Sequence, residues 1–201
     1  MVTAFAKLTF TPAVLELQQR FGSRRAYAPL LEEQADPGNR VGPAEAAFIA
    51  ARDGFYQSTI SETGWPYVQF KGGPRGFLKV IDDQSLAYAD FTGNRQYLSA
   101  GNLTTNNKLA MILVDYPNRR RLKIWGTASL LAFEDEPNLN AKLHDPEYAA
   151  APERAVVIKI DAMSWNCPQH LPERYTMDEL KEQLNPVFQE IAALRAENSQ
   201  L

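Results

Sequence analysis

The stretch of sequence that says most about the fold is residues 89–103, which read ADFTGNRQYLSAGNL. A strand predicted over Ser85–Phe91 ends at Gly93, and asparagine at position 94 is a good helix N-cap, so we predict a helix that opens with Arg95. A helix N-terminus presents unpaired backbone N–H groups and the positive end of a dipole, which attract anions. The planar guanidinium of Arg95 suits two phosphate oxygens. The stretch therefore predicts a phosphate site where the chain leaves a sheet.

The segments around this stretch are predicted to be strands of one antiparallel sheet. Apolar and polar residues alternate over 122–130 and 156–162, the period of a strand with one buried face. Residues 62–65 carry a hairpin signal between two further strands, and the strand at 108–116 is apolar on both faces. Six or seven such strands with short hairpins predict a mainly β fold with flanking helices, closed as a barrel.

Helices are predicted at both ends of this barrel. We expect an N-terminal helical extension at residues 1–42, the barrel domain at 43–170 and a C-terminal helical segment at 171–201. The last segment repeats apolar residues at steps of four and three over 180–194, which is typical of a coiled-coil seam. Pro186 is expected to kink or restart that helix. The pattern leaves two interpretations open, packing on the chain's own barrel or contact with a second copy.

Composition and charge argue against several classes of protein. The chain of 201 residues has a formal net charge of −3, whereas nucleic-acid-binding proteins normally carry a basic surplus. The longest purely apolar run, residues 109–114, is too short to cross a membrane. The single cysteine, Cys167, excludes an intrachain disulfide and is typical of a reducing compartment, so we expect a cytoplasmic location. One cysteine and two histidines cannot supply a closed zinc site, and no metal is predicted.

A local basic cluster stands out in this acidic chain. Lys71, Arg75 and Lys79 occur in a stretch, residues 63–81, that has no acidic side chain. The excess favours an anion site, although lysines at a hairpin edge also serve to discourage strand pairing. The glycines of residues 72–76 lack the spacing of a dinucleotide fingerprint. We interpret them as allowing close approach to a flat ligand or, alternatively, as a bulge between strands.

Two motifs carry a resemblance to a known family. GxPYVQxKGGPxGF at residues 64–77 and ADFxGNRQY at residues 89–97 resemble the predicted flavin-nucleotide-binding proteins related to pyridoxamine 5′-phosphate oxidase. The likeness covers roughly residues 43–133, with a weaker match at WNCP, residues 165–168. It implies an antiparallel, Greek-key-like split β-barrel that binds FMN. It also implies a homodimer with the cofactor at the subunit interface and a small-molecule substrate.

The resemblance also implies roles for particular residues. The family's phosphate-binding turn, Gly-Ser-Arg-Lys, matches residues 93–96, and its strand arginine and lysine match Gln69 and Lys79. A glutamine near the flavin ring matches Arg121, and we expect Lys71 to compensate for the arginine missing at position 69. The predicted cofactor-binding residues are Gln69, Lys71, Lys79, Asp90, Asn94, Arg95, Gln96 and Arg121. The predicted substrate-side residues are Trp165, His170 and Arg174.

Three functions remain open at this point. The first is an FMN-dependent oxidoreductase that transfers hydride or electrons between a small molecule and the flavin, which carries the redox chemistry. The second is a flavin carrier or sensor without turnover. The third is a split barrel that binds another cofactor, a deazaflavin or haem. The sequence identifies no catalytic acid or base.

Overall fold

A single antiparallel sheet dominates the computed structural model, which describes residues 3–32, 37–132 and 134–198. Within those residues the sheet has seven strands in the order β2-β1-β5-β6-β7-β4-β3, and each neighbouring pair is antiparallel. The strands are β1 (Gly54–Ile60), β2 (Pro66–Gly72), β3 (Lys79–Asp82), β4 (Ser85–Phe91), β5 (Lys108–Asp115), β6 (Arg120–Ala132) and β7 (Pro152–Asn166). The predicted mainly β fold with flanking helices is confirmed.

Short helices precede the sheet, connect two pairs of its strands and follow it. They are α1 (Ala4–Thr9), α2 (Pro12–Arg20), α3 (Arg24–Tyr27), a 3-10 turn (Ala28–Leu31), α4 (Pro43–Ala50), α5 (Leu98–Thr105), α6 (Pro137–Leu143) and α7 (Met177–Asn198). The predicted terminal segments also include residues 1–2, 33–36 and 199–201, which lie outside the described residues. The domain boundaries themselves stay predictions.

The alternating residues of the long strands build the core. Leu122 and Ile124 of β6 and Ile158 of β7 are fully buried, as the period-two pattern predicts. A polar pair sits among them, because the Tyr88 hydroxyl donates to Gln57 Oε1 at 2.9 Å. Burial raises the pKa of Tyr88, so the hydroxyl stays a donor.

The glycine loop before β3 differs from the prediction. Strand β3 starts at Lys79, because the Phe77 N–H closes a turn onto the Pro74 carbonyl at 2.9 Å. A Cβ at Gly73 would lie 2.7 Å from the Phe77 ring, and one at Gly76, where φ is +77°, would lie 2.9 Å from the Ala50 carbonyl oxygen. These glycines therefore admit the chain's own ring and backbone rather than a flat ligand.

Helix α7 is capped at its start and continues through its proline. Thr176 and Glu179 form a capping box, since each side chain accepts the other's backbone N–H, at 3.2 and 2.8 Å. The helix then runs from Met177 to Asn198 as one element with Pro186 inside it, so it does not restart there. None of its residues is buried, so the helix does not pack on its own barrel.

Candidate functional site

The corner after β4, residues 93–97, is a non-helical turn. The Asn94 side chain caps the turn instead of a helix, because its Oδ1 accepts the Gln96 N–H at 3.1 Å. Arg95 and Tyr97 have φ angles of 60° and 56°, in the left-handed region. That backbone cannot continue into a right-handed helix, so α5 begins at Leu98 and the prediction of a helix from Arg95 was wrong.

The N-terminus of α5 nevertheless lies beside this corner. Its first helical hydrogen bond runs from the Gly101 N–H to the Tyr97 carbonyl at 2.7 Å. The N–H groups of Leu98, Ser99 and Ala100 precede that bond and have no partner within the helix. All three residues line a pocket with a volume of about 210 Å³, here called the corner pocket. The first turn of α5, the positive end of its dipole, therefore forms part of the pocket wall.

Arg95 is an exposed residue at the rim of the corner pocket. Its Nε donates to the Tyr97 hydroxyl at 3.2 Å, and that hydroxyl donates to Glu153 Oε1 at 3.3 Å. The hydrogen bond with Tyr97 raises the pKa of Arg95, so the guanidinium stays charged. Among the described residues, the two terminal nitrogens of Arg95 have no hydrogen-bond partner. They are the pair that a phosphate would engage.

The opposite wall of the corner pocket belongs to β2 and β4. These strands are far apart in the sheet order, and Lys71 bridges them because its Nζ lies 2.7 Å from Asp90 Oδ1. Both side chains are largely buried, at 13% and 16% exposure. The Gln69 side chain is fixed by Ser99, whose hydroxyl donates to Gln69 Oε1 at 2.8 Å. The Lys71–Asp90 ion pair therefore links the two strands across the split, and both of its residues line the corner pocket.

The structure brings most of the predicted cofactor-binding residues together in the corner pocket. These are Gln69, Lys71, Asp90, Asn94, Arg95 and Gln96. Lys79 is not among the residues that line it and lies opposite Ala87 at the start of β3. The lining residues that the sequence reasoning did not predict as cofactor contacts include Tyr97, Ser99 and Glu153. Tyr97 was visible inside the quoted motif, but Glu153 reaches the pocket from β7 and has no signal near the motif.

Arg121 lies outside the corner pocket, and its donors are used by the chain itself. Its Nη2 donates to the Cys167 carbonyl and, at 3.3 Å, to the Gln169 carbonyl. With the Asn166 amide turned so that its oxygen faces the guanidinium, that oxygen accepts from Nε and both Nη atoms at 2.8–3.3 Å. The β6–β7 ladder explains the separation from the pocket: Arg121 pairs with Asn166 at one end, and Arg154, which pairs with Asp90, lies at the other. Within one chain, Arg121 anchors the segment after β7 instead of lining the corner pocket.

The three predicted substrate-side residues also lie apart from the corner pocket. Trp165 donates from Nε1 to Glu45 Oε1 at 2.8 Å and lines a cavity of about 510 Å³ between α4 and β7. Arg174 lies over the Tyr116 ring at 5.2 Å and lines a different cleft of about 150 Å³. His170 is exposed, with a φ of 61°. These residues do not converge on one site within a single chain.

The cavity beside Trp165 is larger than the corner pocket but has its polar groups already paired. Arg40 forms an ion pair with Asp83, and Glu45 accepts from Trp165 and from the Gly42 N–H. The corner pocket instead holds a guanidinium with unused donors and the start of α5. It is therefore the better candidate for an anionic ligand.

Two other kinds of feature are not found among the described residues. No group of three or more His, Cys, Asp or Glu side chains in the described ranges is placed to hold a metal ion. Across the part of the chain that the structure describes, no helix is both long enough and apolar enough to span a bilayer.

Comparison with known proteins identifies the family. The family model described as pyridoxamine 5′-phosphate oxidase matches residues 42–166, more than half of the chain. The chain therefore belongs to the pyridoxamine 5′-phosphate oxidase family, and its seven-stranded antiparallel sheet with flanking helices is the family's split barrel. A search of curated proteins found no match.

Several solved structures are similar to this chain at low sequence identity. HupZ of Group A Streptococcus is 15% identical, with 67% of this chain and 100% of that chain covered and a TM-score of 0.48. An FMN-binding protein of Syntrophomonas wolfei is 15% identical over 74% and 97%, with a TM-score of 0.44. An F420 reductase is 19% identical over 62% and 98%, with a TM-score of 0.43. The match to the family model, not these likenesses, shows the family.

Proposed function

We propose that this protein is an FMN-binding flavoprotein that holds the cofactor's phosphate in the corner pocket. One observation carries the proposal: the unused terminal nitrogens of Arg95 lie beside the pocket that the first three residues of α5 line. A guanidinium with two unused N–H donor groups and a helix N-terminus together form a strong phosphate site. The amide side chains of Asn94 and Gln96 add polar groups to the same wall.

The charge balance of the pocket supports an anion in spite of two carboxylates in its lining. Asp90 is neutralised by Lys71 at 2.7 Å and has Arg154 at 3.8 Å. Glu153 is paired with Arg154, whose Nη2 lies 2.6 Å from Glu153 Oε2. Because both carboxylates have cationic partners, the charge of Arg95 is left for the ligand.

The remaining pocket residues suit the middle of the cofactor. Gln69 and Lys71 lie on the β2 wall and offer hydrogen-bonding groups for the ribityl hydroxyls. The volume of about 210 Å³ suits a phosphate and a ribityl chain better than a whole tricyclic ring. When bound, FMN supplies a ring that accepts a hydride or electrons. The chain's residues bind and orient it.

A homodimer is the second part of the proposal. Trp165, His170 and Arg121 lie away from the corner pocket of their own chain, so a second copy is the simplest means to bring them to the flavin ring. The exposed outer face of β1 and β2 supports association, since Tyr56, Val68 and Phe70 are 41%, 61% and 55% exposed. We place the protein in the cytoplasm, because its lone cysteine, Cys167, is a free thiol.

Ligand titration tests the phosphate assignment. Purified apoprotein is titrated with FMN and with riboflavin, which has the same ring without the phosphate. We expect FMN to bind at least about tenfold more tightly, because only FMN makes the charge-assisted contacts. Equal affinities for the two flavins would contradict the assignment of the phosphate to the corner pocket. F420 and haemin are titrated in parallel, and tighter binding of either one would replace FMN as the cofactor.

A second experiment separates the oxidoreductase from a flavin carrier or sensor. The FMN-loaded protein is mixed anaerobically with NADH, with NADPH and with a panel of small reductants, and flavin absorbance is followed. An oxidoreductase is expected to be reduced by at least one donor and reoxidised by oxygen or another acceptor. Flavin that no donor reduces, although light reduces it, would assign the carrier or sensor function.

A further inference from the structure

Helix α7 has a continuous apolar stripe that its own chain leaves exposed. Every third or fourth residue along the helix is apolar, which is the a and d pattern of a coiled coil. The a positions are Met177, Leu184 and Ile191, and the d positions are Leu180, Val187 and Leu194. Their exposures range from 38% to 68%, and no residue of α7 is buried. A stripe of this length in water needs a partner.

The charges beside the stripe specify what partner fits. Lys181 and Arg195 occupy e positions on one flank, and Glu190 and Glu197 occupy g positions on the other. In a parallel pair of identical helices, the g flank of each helix faces the e flank of the other, so acid meets base on both sides. An antiparallel pair would set acid against acid and base against base. Charge complementarity therefore selects a parallel pair.

The proline in α7 is placed where such a pair tolerates it. Pro186 occupies a c position, on the face opposite the seam. The backbone carbonyl that loses its helical donor there belongs to Glu182, at an outward f position. Because both groups face water, the proline does not interrupt the stripe.

The segment just before α7 reaches the exposed outer face of the sheet. Arg174, just before the helix, lies over the Tyr116 ring at 5.2 Å. Burial raises the pKa of Tyr116, and a hydrogen bond with Tyr56 raises it further. Tyr56 packs against Phe70 with ring centroids 5.3 Å apart on the exposed sheet face. The start of α7 is therefore tied to the sheet at Tyr116.

We propose that α7 pairs in parallel with α7 of a second copy of this chain, through the seam of Met177, Leu180, Leu184, Val187, Ile191 and Leu194. This assembly role belongs to the helix itself. It does not depend on whether the corner pocket binds a flavin, so the tests use the protein without added cofactor.

Disulfide trapping tests the orientation. In the full chain with Cys167→Ser, a single cysteine is introduced as Leu180→Cys or as Leu194→Cys, each at a d position. In a parallel pair each cysteine meets its own counterpart at a distance that a disulfide can span. We expect each variant alone to give a covalent dimer on mild oxidation. The matched control, Glu182→Cys at an outward f position, is expected to stay monomeric on a denaturing gel.

The other outcomes of the trapping experiment overturn the proposal. A covalent dimer formed only when the Leu180→Cys protein is mixed with an Ile191→Cys protein would mean an antiparallel pair, because a positions then face d positions. No covalent dimer in any combination would mean that something other than a second α7 covers the stripe.

Sedimentation equilibrium supplies an independent measurement. Leu184→Glu with Ile191→Glu places charges at two a positions, and the expected result is a rise of about a hundredfold or more in the dimer dissociation constant. Gln189→Glu with Ala196→Glu adds the same two charges at f positions and is expected to leave the constant unchanged. Circular dichroism checks that the barrel remains folded in both. Equal constants for the two double variants would contradict the pairing.

Discussion

Arg95 and Arg121 look equivalent as sequence, since each is an arginine that the family resemblance assigns to the cofactor, but their surroundings differ. Arg95 lies in a turn with a left-handed backbone and uses only its Nε, toward Tyr97. Arg121 lies within β6 and donates to the carbonyls of Cys167 and Gln169. A ligand role therefore depends on which donors the fold leaves unused. Arg95 is suited to bind, and Arg121 is suited to hold the chain.

The largest effect is expected beneath the corner, where the same distinction applies to Asp90. Asp90→Ala leaves Lys71, at 13% exposure, without its carboxylate. Breaking a largely buried ion pair from one side should lower the free energy of unfolding by about 2–4 kcal/mol. Urea denaturation measures this, with the exposed Asp135→Ala as the control. FMN affinity should be retained, since Lys71 becomes free to contact the ligand. A loss of FMN affinity with normal stability would make Asp90 a ligand contact instead of a clamp.

Arg95→Ala tests whether the arginine with unused donors binds the ligand. We expect FMN affinity to fall about ten- to a hundredfold, because a charge-assisted contact to the phosphate is lost. The unfolding midpoint in urea should stay the same, since the side chain is exposed. Arg119→Ala is a matched control: Arg119 is also an exposed arginine in the left-handed region, with a φ of 52°. If both variants bind FMN equally well, the corner does not hold the phosphate.

Arg121→Ala tests whether this arginine stabilises the chain instead of binding the ligand. Removing the donor to two backbone carbonyls should lower the free energy of unfolding by about 1–2 kcal/mol and loosen residues 167–169. Thermal or urea unfolding measures the first effect, and the reaction rate of the Cys167 thiol with a thiol reagent reports the second. The Arg119→Ala control should change neither. Unchanged stability together with weakened flavin binding would mean that Arg121 contacts the ligand.

The smallest effect is expected at Tyr97→Phe. The substitution keeps the ring but removes the hydroxyl that accepts from Arg95 and donates to Glu153. Because these contacts lie at an exposed rim, we expect FMN affinity to fall by only about two- to threefold. Titration beside the Arg95→Ala protein measures the difference. In the double variant, removing the hydroxyl should add nothing. An additive loss would show that Tyr97 contacts the ligand by itself.

Much of the fold could be predicted from the sequence, because the signals are local. Alternation of apolar residues marked β6 and β7, and the predicted strand Ser85–Phe91 has the bounds of β4. The start of α5 was missed because Asn94 is as suited to an Asx turn as to a helix cap, and the Gln96 N–H takes up its side-chain oxygen in the turn. The glycine loop was misinterpreted because the ring that needs the space, Phe77, is identified only by packing.

Local patterns in the sequence were enough to locate the strands, to indicate the family and to give the residue types at the corner. The long-range contacts came from the folded chain: Lys71 meets Asp90 across the split, Glu153 joins the pocket from β7, and the donors of Arg121 are already used. The two kinds of interaction differ in the distance along the chain over which they act. Strand periodicity and turn preferences act between residues a few positions apart, whereas the partner of a charged side chain depends on the order and closure of strands distant in the chain.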